Sequence, residues 1–228
     1  SGVCSSALLG STQVDNPCFH STDASMLGTT PISARASDFA AKKGMFVFVS
    51  PGHAGSSAWH YLDSPAAADS VVAVGSVNSS GIVGTFSSYG PSSDGQVKPA
   101  IASVGVGTAL FNTNGQVASG NGTSYATPNV AGLITCLWQA FPEFTNMEII
   151  SAVEKSSSIY NNPDDRIGYG IPNFHIAYDA LMQQRIAKNM ASILGDKTIK
   201  IFPNPFSNEF SVLVKPSATA TGTFGLYD

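Results

Sequence analysis

Charge is scarce in this chain. Asp, Glu, Lys and Arg make up only 11% of the 228 residues, and the 11 basic residues form no block. A phosphate backbone needs clustered cations, so nucleic acid is not expected as a partner. No apolar run reaches the roughly 18–20 residues that a membrane span needs. Cysteine is limited to Cys4, Cys18 and Cys136, with no Cys-x-x-Cys or Cys/His spacing that would suggest zinc. Cys4 and Cys18 can pair in an oxidising compartment, whereas Cys136 falls within an apolar helical pattern and is expected to be a buried free thiol. No cofactor or metal site is expected: Asp94, Asp164 and Asp165 lack the several acidic groups at loop spacing that calcium requires. The opening carries no signal-peptide pattern and starts mid-pattern, which points to a missing N-terminus.

What is present favours a large core. Hydrophobic residues reach 43%, and 22 glycines imply many turns and close backbone contacts. The length suits one domain of about 150–200 residues with an appendage. Ile32, Ala36, Phe39 and Ala40 share a helical face over 32–43, with Gly44 as the stop. Met45–Val49 and Val71–Val77 are unbroken apolar runs, as in strands buried on both faces of a parallel sheet. Ile82–Ser87 reads as a short strand, 89–99 as a loop, and Asn114–Gly115 as a hairpin turn between 109–111 and 116–118. A long helix follows Thr123 and ends at Pro142. A capping box, Thr145 with Glu148, opens the next helix over about 146–157. Another helix covers about 172–194. Beyond Gly195 three short strands are expected (198–202, 210–215 and 223–227), placing a domain boundary near 195: 1–195, then a β-rich segment 196–228.

The chemistry concentrates in Gly122-Thr123-Ser124-Tyr125-Ala126-Thr127-Pro128-Asn129-Val130-Ala131-Gly132. A serine at the very start of a helix presents its hydroxyl outward and keeps an amide with no intrahelical partner. That amide, with the positive helix end behind it, suits an anion forming on a carbonyl under attack. Gly122 removes a side chain where a substrate backbone would pass, and Pro128 is expected in about the first turn. An ordinary Ser/Thr cap before a buried helix is the plain alternative for a lone Thr-Ser.

The eleven-residue string resembles the active-site serine signature of subtilisin-like proteases at every position that the pattern specifies. The resemblance continues through 41–55, through Ser64-Pro65-Ala66 and 71–77, and through Phe86-Ser87-Ser88-Tyr89-Gly90, Lys98-Pro99 and Gly168-Tyr169-Gly170, in the family's order. It implies an α/β, subtilisin-like three-layer fold with a mainly parallel sheet, lacking its N-terminal part. It also implies Ser124 as nucleophile and the Ser124 amide with residue 53 as oxyanion hole. Polypeptide substrate would lie along Leu8, Leu9, Gly10, Ser50, Pro51, Gly52, Gly122 and Thr123.

The departures carry information. His53 stands where the family supplies an oxyanion asparagine, and loss of one such donor costs roughly 10²–10³ in rate. Leu8 stands in place of a substrate-binding serine. The family's Asp-rich strand end and His-Gly-Thr helix start, which supply the other two triad members, are absent. Neither Asp15 nor Asp23 with His53 is expected to replace them, so both are expected upstream, and this chain alone should be nearly inactive. Strands expected upstream would leave uncovered apolar edges here and poor solubility in isolation. His60, beside Trp59 and Tyr61, is expected over the substrate cleft; His20 and His175 are expected at the surface. Finally, Phe202-Pro203-Asn204-Pro205 and Leu226-Tyr227-Asp228 resemble parts of a type IX secretion sorting domain. That resemblance implies bacterial export, surface location and contact with the secretion machinery. Two readings follow: a secreted serine endopeptidase, or a catalytically impaired subtilisin-like binding or scaffold module, which His53 and Leu8 favour.

Overall fold

A computed structural model of the chain describes residues 31–194, 199–202 and 211–214. Leu8, Leu9, Gly10, Cys4, Cys18, Asp15, Asp23, His20 and the Pro-Asn-Pro turn lie outside the described residues. The chain forms two compact units, dividing between Tyr178 and Asp179; the boundary expected near 195 also lies outside the described residues.

The first unit is built on three parallel strands, β1 (Phe48–Val49), β2 (Val72–Val77) and β3 (Ile101–Val104), in the order β1-β2-β3. The registers are Phe48 with Val72 and Val74 with Ile101. β2, the central strand, is buried at every position, as its unbroken apolar run requires. β1 differs from expectation: it is two residues long and only half-buried, and Met45 is exposed. The reason is position. β1 lies at the edge of this sheet, so one flank has no neighbouring strand among the described residues. Beside it Phe46 stacks on Phe48 and meets the exposed Trp138 edge-on at 5.2 Å.

Helix α1 (Ile32–Lys42) forms where expected but buries a different face. Ala34, Asp38 and Ala41 are buried, whereas Ile32 and Phe39 are exposed. Small Ala34 packs closely against Ala68 and Val71, and the Asp38 carboxylate accepts the Ser70 amide at 2.8 Å. After β2, Asn78 Oδ1 accepts the Ser80 and Ile82 amides and shapes the turn. Ile82–Ser87 then forms only one bridge, Val77 to Val83, rather than a strand. The expected hairpin is present as β4 (Thr108–Phe111) antiparallel to β5 (Val117–Gly120).

Helix α2 (Thr123–Ala140) packs on β2 and β3 through Ala126, Val130, Ile134 and Leu137. Cys136 lies off that buried stripe and is an exposed free thiol, contrary to expectation. Pro128 is the sixth helical residue, beyond the first turn, so it withholds the amide that would otherwise reach the Ser124 carbonyl. Helix α3 (Asn146–Lys155) opens with the full capping box: Glu148 Oε2 accepts the Thr145 amide at 2.8 Å, and Thr145 Oγ1 accepts the Glu148 amide. Helix α4 (Phe174–Leu194) follows, and β6 (Ile199–Phe202) pairs antiparallel with β7 (Ser211–Val214). Among the described residues no helix is long and apolar enough to cross a membrane.

Candidate active site

The N-terminus of α2 is fixed from below by backbone bonds. The Gly122 amide donates to the Gly105 carbonyl at 2.7 Å, and the fully buried Thr123 donates its hydroxyl to the Gly52 carbonyl at 3.4 Å. Ser124 is the second helical residue and is exposed. The Tyr125 amide is taken by the Gly122 carbonyl and the Thr123 amide by His53. Among the described residues nothing claims the Ser124 amide or hydroxyl. The helix end therefore offers an unoccupied donor beside an outward hydroxyl, the arrangement that stabilises a developing oxyanion.

His53 is brought here by the loop after β1. The Ala54 amide donates to Ser88 Oγ at 2.9 Å, and the Ser88 amide returns a bond to the Gly52 carbonyl at 3.1 Å. The imidazole meets Phe86 edge-on at 5.2 Å. Its Nε2 accepts the Thr123 amide at 3.2 Å. A neutral imidazole has one donor and one acceptor, so in this pose the remaining N–H is on Nδ1. Gly122 eases the approach, because a Cβ there would stand 3.3 Å from His53 Nε2, tighter than an ordinary contact. The structure thus gathers Ser124, Thr123, Gly122, His53 and Gly52 in one place, with the buried Pro51 and half-buried Ser50 adjoining.

Asp63 belongs to the same neighbourhood, and no motif announced it. Its amide donates to the Pro51 carbonyl at 2.8 Å, and its carboxylate lies against the Gly52 backbone. Gly52 adopts φ +112°, where only glycine is at ease, and a Cβ would collide with the Asp63 carboxylate and with Ser88 Oγ. Burial raises the Asp63 carboxyl above its ordinary value, and the His53 charge opposes that rise. The one available sequence signal was an isolated acid within an otherwise uncharged run, 56–68.

The other candidates have structural occupations. His60 stacks on Tyr89 at 4.2 Å, and the Arg166 guanidinium covers the Tyr89 ring at 4.1 Å. His175 is exposed. Burial pushes the Asp94 carboxyl up, but hydrogen bonds from Ser92 and Gln96 outweigh it and hold the group below its usual range. Asp164 Oδ1 accepts the Arg166 and Ile167 amides in a turn.

The fold and this helix end define an α/β protein of the subtilisin-like type. The chain belongs to the Subtilase family, whose model (Peptidase S8) matches residues 5–170. It is 32% identical over 126 residues to Subtilisin E of Bacillus subtilis (strain 168), covering 55% of this chain and 32% of that protein. Against M-protease of Shouchella clausii it is 28% identical over 179 residues, covering 78% of this chain and 44% of that protein. The chain therefore spans less than half the length of these relatives. The solved structure of the prenylagaramide maturation protease PagA shares the fold, with a TM-score of 0.55 at 23% identity, covering 64% of this chain and 54% of that one.

Proposed function

We propose that this chain carries the nucleophile of a serine endopeptidase. The observation that carries the reading is the exposed Ser124 hydroxyl at the start of α2, beside its own unclaimed amide. Ser124 Oγ attacks the peptide carbonyl, the C–N bond breaks as the amine leaves carrying the proton given up by Ser124, and water then hydrolyses the resulting acyl-enzyme to free the acid and restore Ser124. His53 Nε2 is held by the Thr123 amide, so the proton from Ser124 goes instead to a histidine N-terminal to this chain, oriented by an aspartate there, as the family's order implies. The Ser124 amide holds the oxyanion. His53 joins it through Nδ1–H, or after turning away from Thr123. Extracellular or cell-surface action, with residues 196–228 as the start of a type IX sorting segment, completes the reading. Its support is the Pro-Asn-Pro sequence at 203–205, which falls between the segments that pair as β6 and β7.

A binding or scaffold module without chemistry is the second reading, and the engaged Nε2 of His53 favours it. Fluorophosphonate labelling of the full-length protein separates the two. The protease reading expects labelling at Ser124 and loss of at least about a thousand-fold in turnover on Ser124→Ala, consistent with nucleophile removal elsewhere. Absence of labelling in the full-length protein would leave the module.

A further inference from the structure

We propose that Asp63 makes the Ser124 cleft selective for a basic substrate side chain, Lys or Arg, lodged beside Pro51 and Gly52. The inference rests on the proposed reading of this cleft as the place where a polypeptide lies.

Three facts converge on Asp63, two of geometry and one of charge. Its amide is bonded to the Pro51 carbonyl and its carboxylate abuts the Gly52 backbone, so it is fixed to the loop that also carries His53. The same loop is bonded to the nucleophile helix twice, through Thr123 Oγ1 to the Gly52 carbonyl and through the Thr123 amide to His53 Nε2. Asp63 and Ser124 are therefore attached to one rigid corner, and both are exposed. Gly52 has no Cβ to separate the carboxylate from the loop backbone.

The third fact concerns charge. No Lys or Arg side chain pairs with Asp63 among the described residues. His53 is within electrostatic reach and partly offsets the effect of burial on the carboxylate, but no fixed lysine or arginine bonds to it among the described residues. A carboxylate partly stripped of water and lacking a cation binds an incoming ammonium or guanidinium better than a solvated one does. An apolar side chain in the same place would strand the charge further. The discrimination thus has both an attractive and a repulsive part.

The test uses non-covalent binding, so that it does not depend on catalysis. Calorimetry on the full-length protein compares two peptides identical except for a C-terminal Arg or Leu. A charge-assisted hydrogen bond corresponds to a preference for Arg of about ten- to a hundred-fold. Asp63→Asn should bring the ratio close to one, and Asp63→Lys should transfer the preference to the same peptide ending in Glu, a gain that misfolding cannot imitate. Equal binding of the Arg and Leu peptides by the unaltered protein would overturn the proposal. So would an equal loss for both peptides in Asp63→Asn, which would mean that Asp63 acts through His53. Fluorophosphonate labelling run alongside reports on the protease reading separately: its failure removes the chemistry, while the peptide ratio still decides the charge preference.

Discussion

Lys98 and Asp63 show two fates of a lone charge within one fold. Lys98 is 3% exposed, and its ammonium donates to the Ala68 and Val71 carbonyls at 2.7 and 3.0 Å. Glu154, Asp38, Asp69 and Asp94 all favour its charged form, yet burial outweighs them and brings its pKa down to about 8. Asp63 is exposed, makes no side-chain hydrogen bond and pairs with no Lys or Arg among the described residues. The lysine is a structural charge, satisfied by fixed oxygens and costly to remove. The aspartate has no hydrogen-bonding partner for its side chain among the described residues, which leaves its charge free for the ligand proposed above.

The sharpest way to break the comparison is to delete the structural charge. Lys98→Ala leaves the Ala68 and Val71 carbonyls without their donor, Glu154 without its main cation, and a cavity beside α3. A loss of about 3–5 kcal/mol is expected, as when one member of a buried charge pair is removed. Urea denaturation of the full-length protein measures it. A loss under about 1 kcal/mol would place Lys98 with the surface charges instead.

A smaller effect should appear on raising the pH. Lys98 binds its proton more weakly when folded, at about 8, than when unfolded, at 10.5. Between those values the unfolded chain holds more protons, so stability from this group rises with pH, by up to about 3 kcal/mol across the interval. Below pH 8 both states are protonated and the slope vanishes. The difference between denaturation curves of the protein and its Lys98→Met variant at pH 7.5 and 10 isolates this contribution. An unaltered slope in Lys98→Met would assign the effect to other groups.

The contrast between these two residues also marks how far the sequence could be read. Local rules were legible: the Ser124 helix start, the Asn114–Gly115 hairpin and the Thr145–Glu148 capping box each depend on a few neighbouring residues, and each is present. Faces and partners were not. Ile32 and Phe39 look like the anchors of α1, but small Ala34 and Ala41 are buried because they allow closer approach. Cys136 sits among apolar residues in sequence and on the exposed side of α2 in space. The depth of Lys98 and the place of Asp63 depend on segments 27 to 30 and 10 to 12 residues away folding back on them, which periodicity does not encode. The Thr123–His53 bond spans 70 positions, and only the resemblance to a family hinted that these residues meet.

The smallest expected effect is the most discriminating. A carboxyl whose pKa is raised on folding binds its proton more tightly in the folded state. Its contribution is therefore most favourable below the unfolded value of 3.8 and is lost as pH rises through the higher folded value. At neutral pH Asp63 thus gives the fold nothing to lose, and solvent at its exposed face screens what cost remains. Asp63→Asn should change stability by no more than about 0.5 kcal/mol, in the stabilising direction if at all. The same substitution is expected to change the Arg-to-Leu peptide ratio by tenfold or more. A variant that melts several degrees lower would show that Asp63 holds the Pro51–Gly52 corner together, and its charge would then belong with Lys98 among the structural ones.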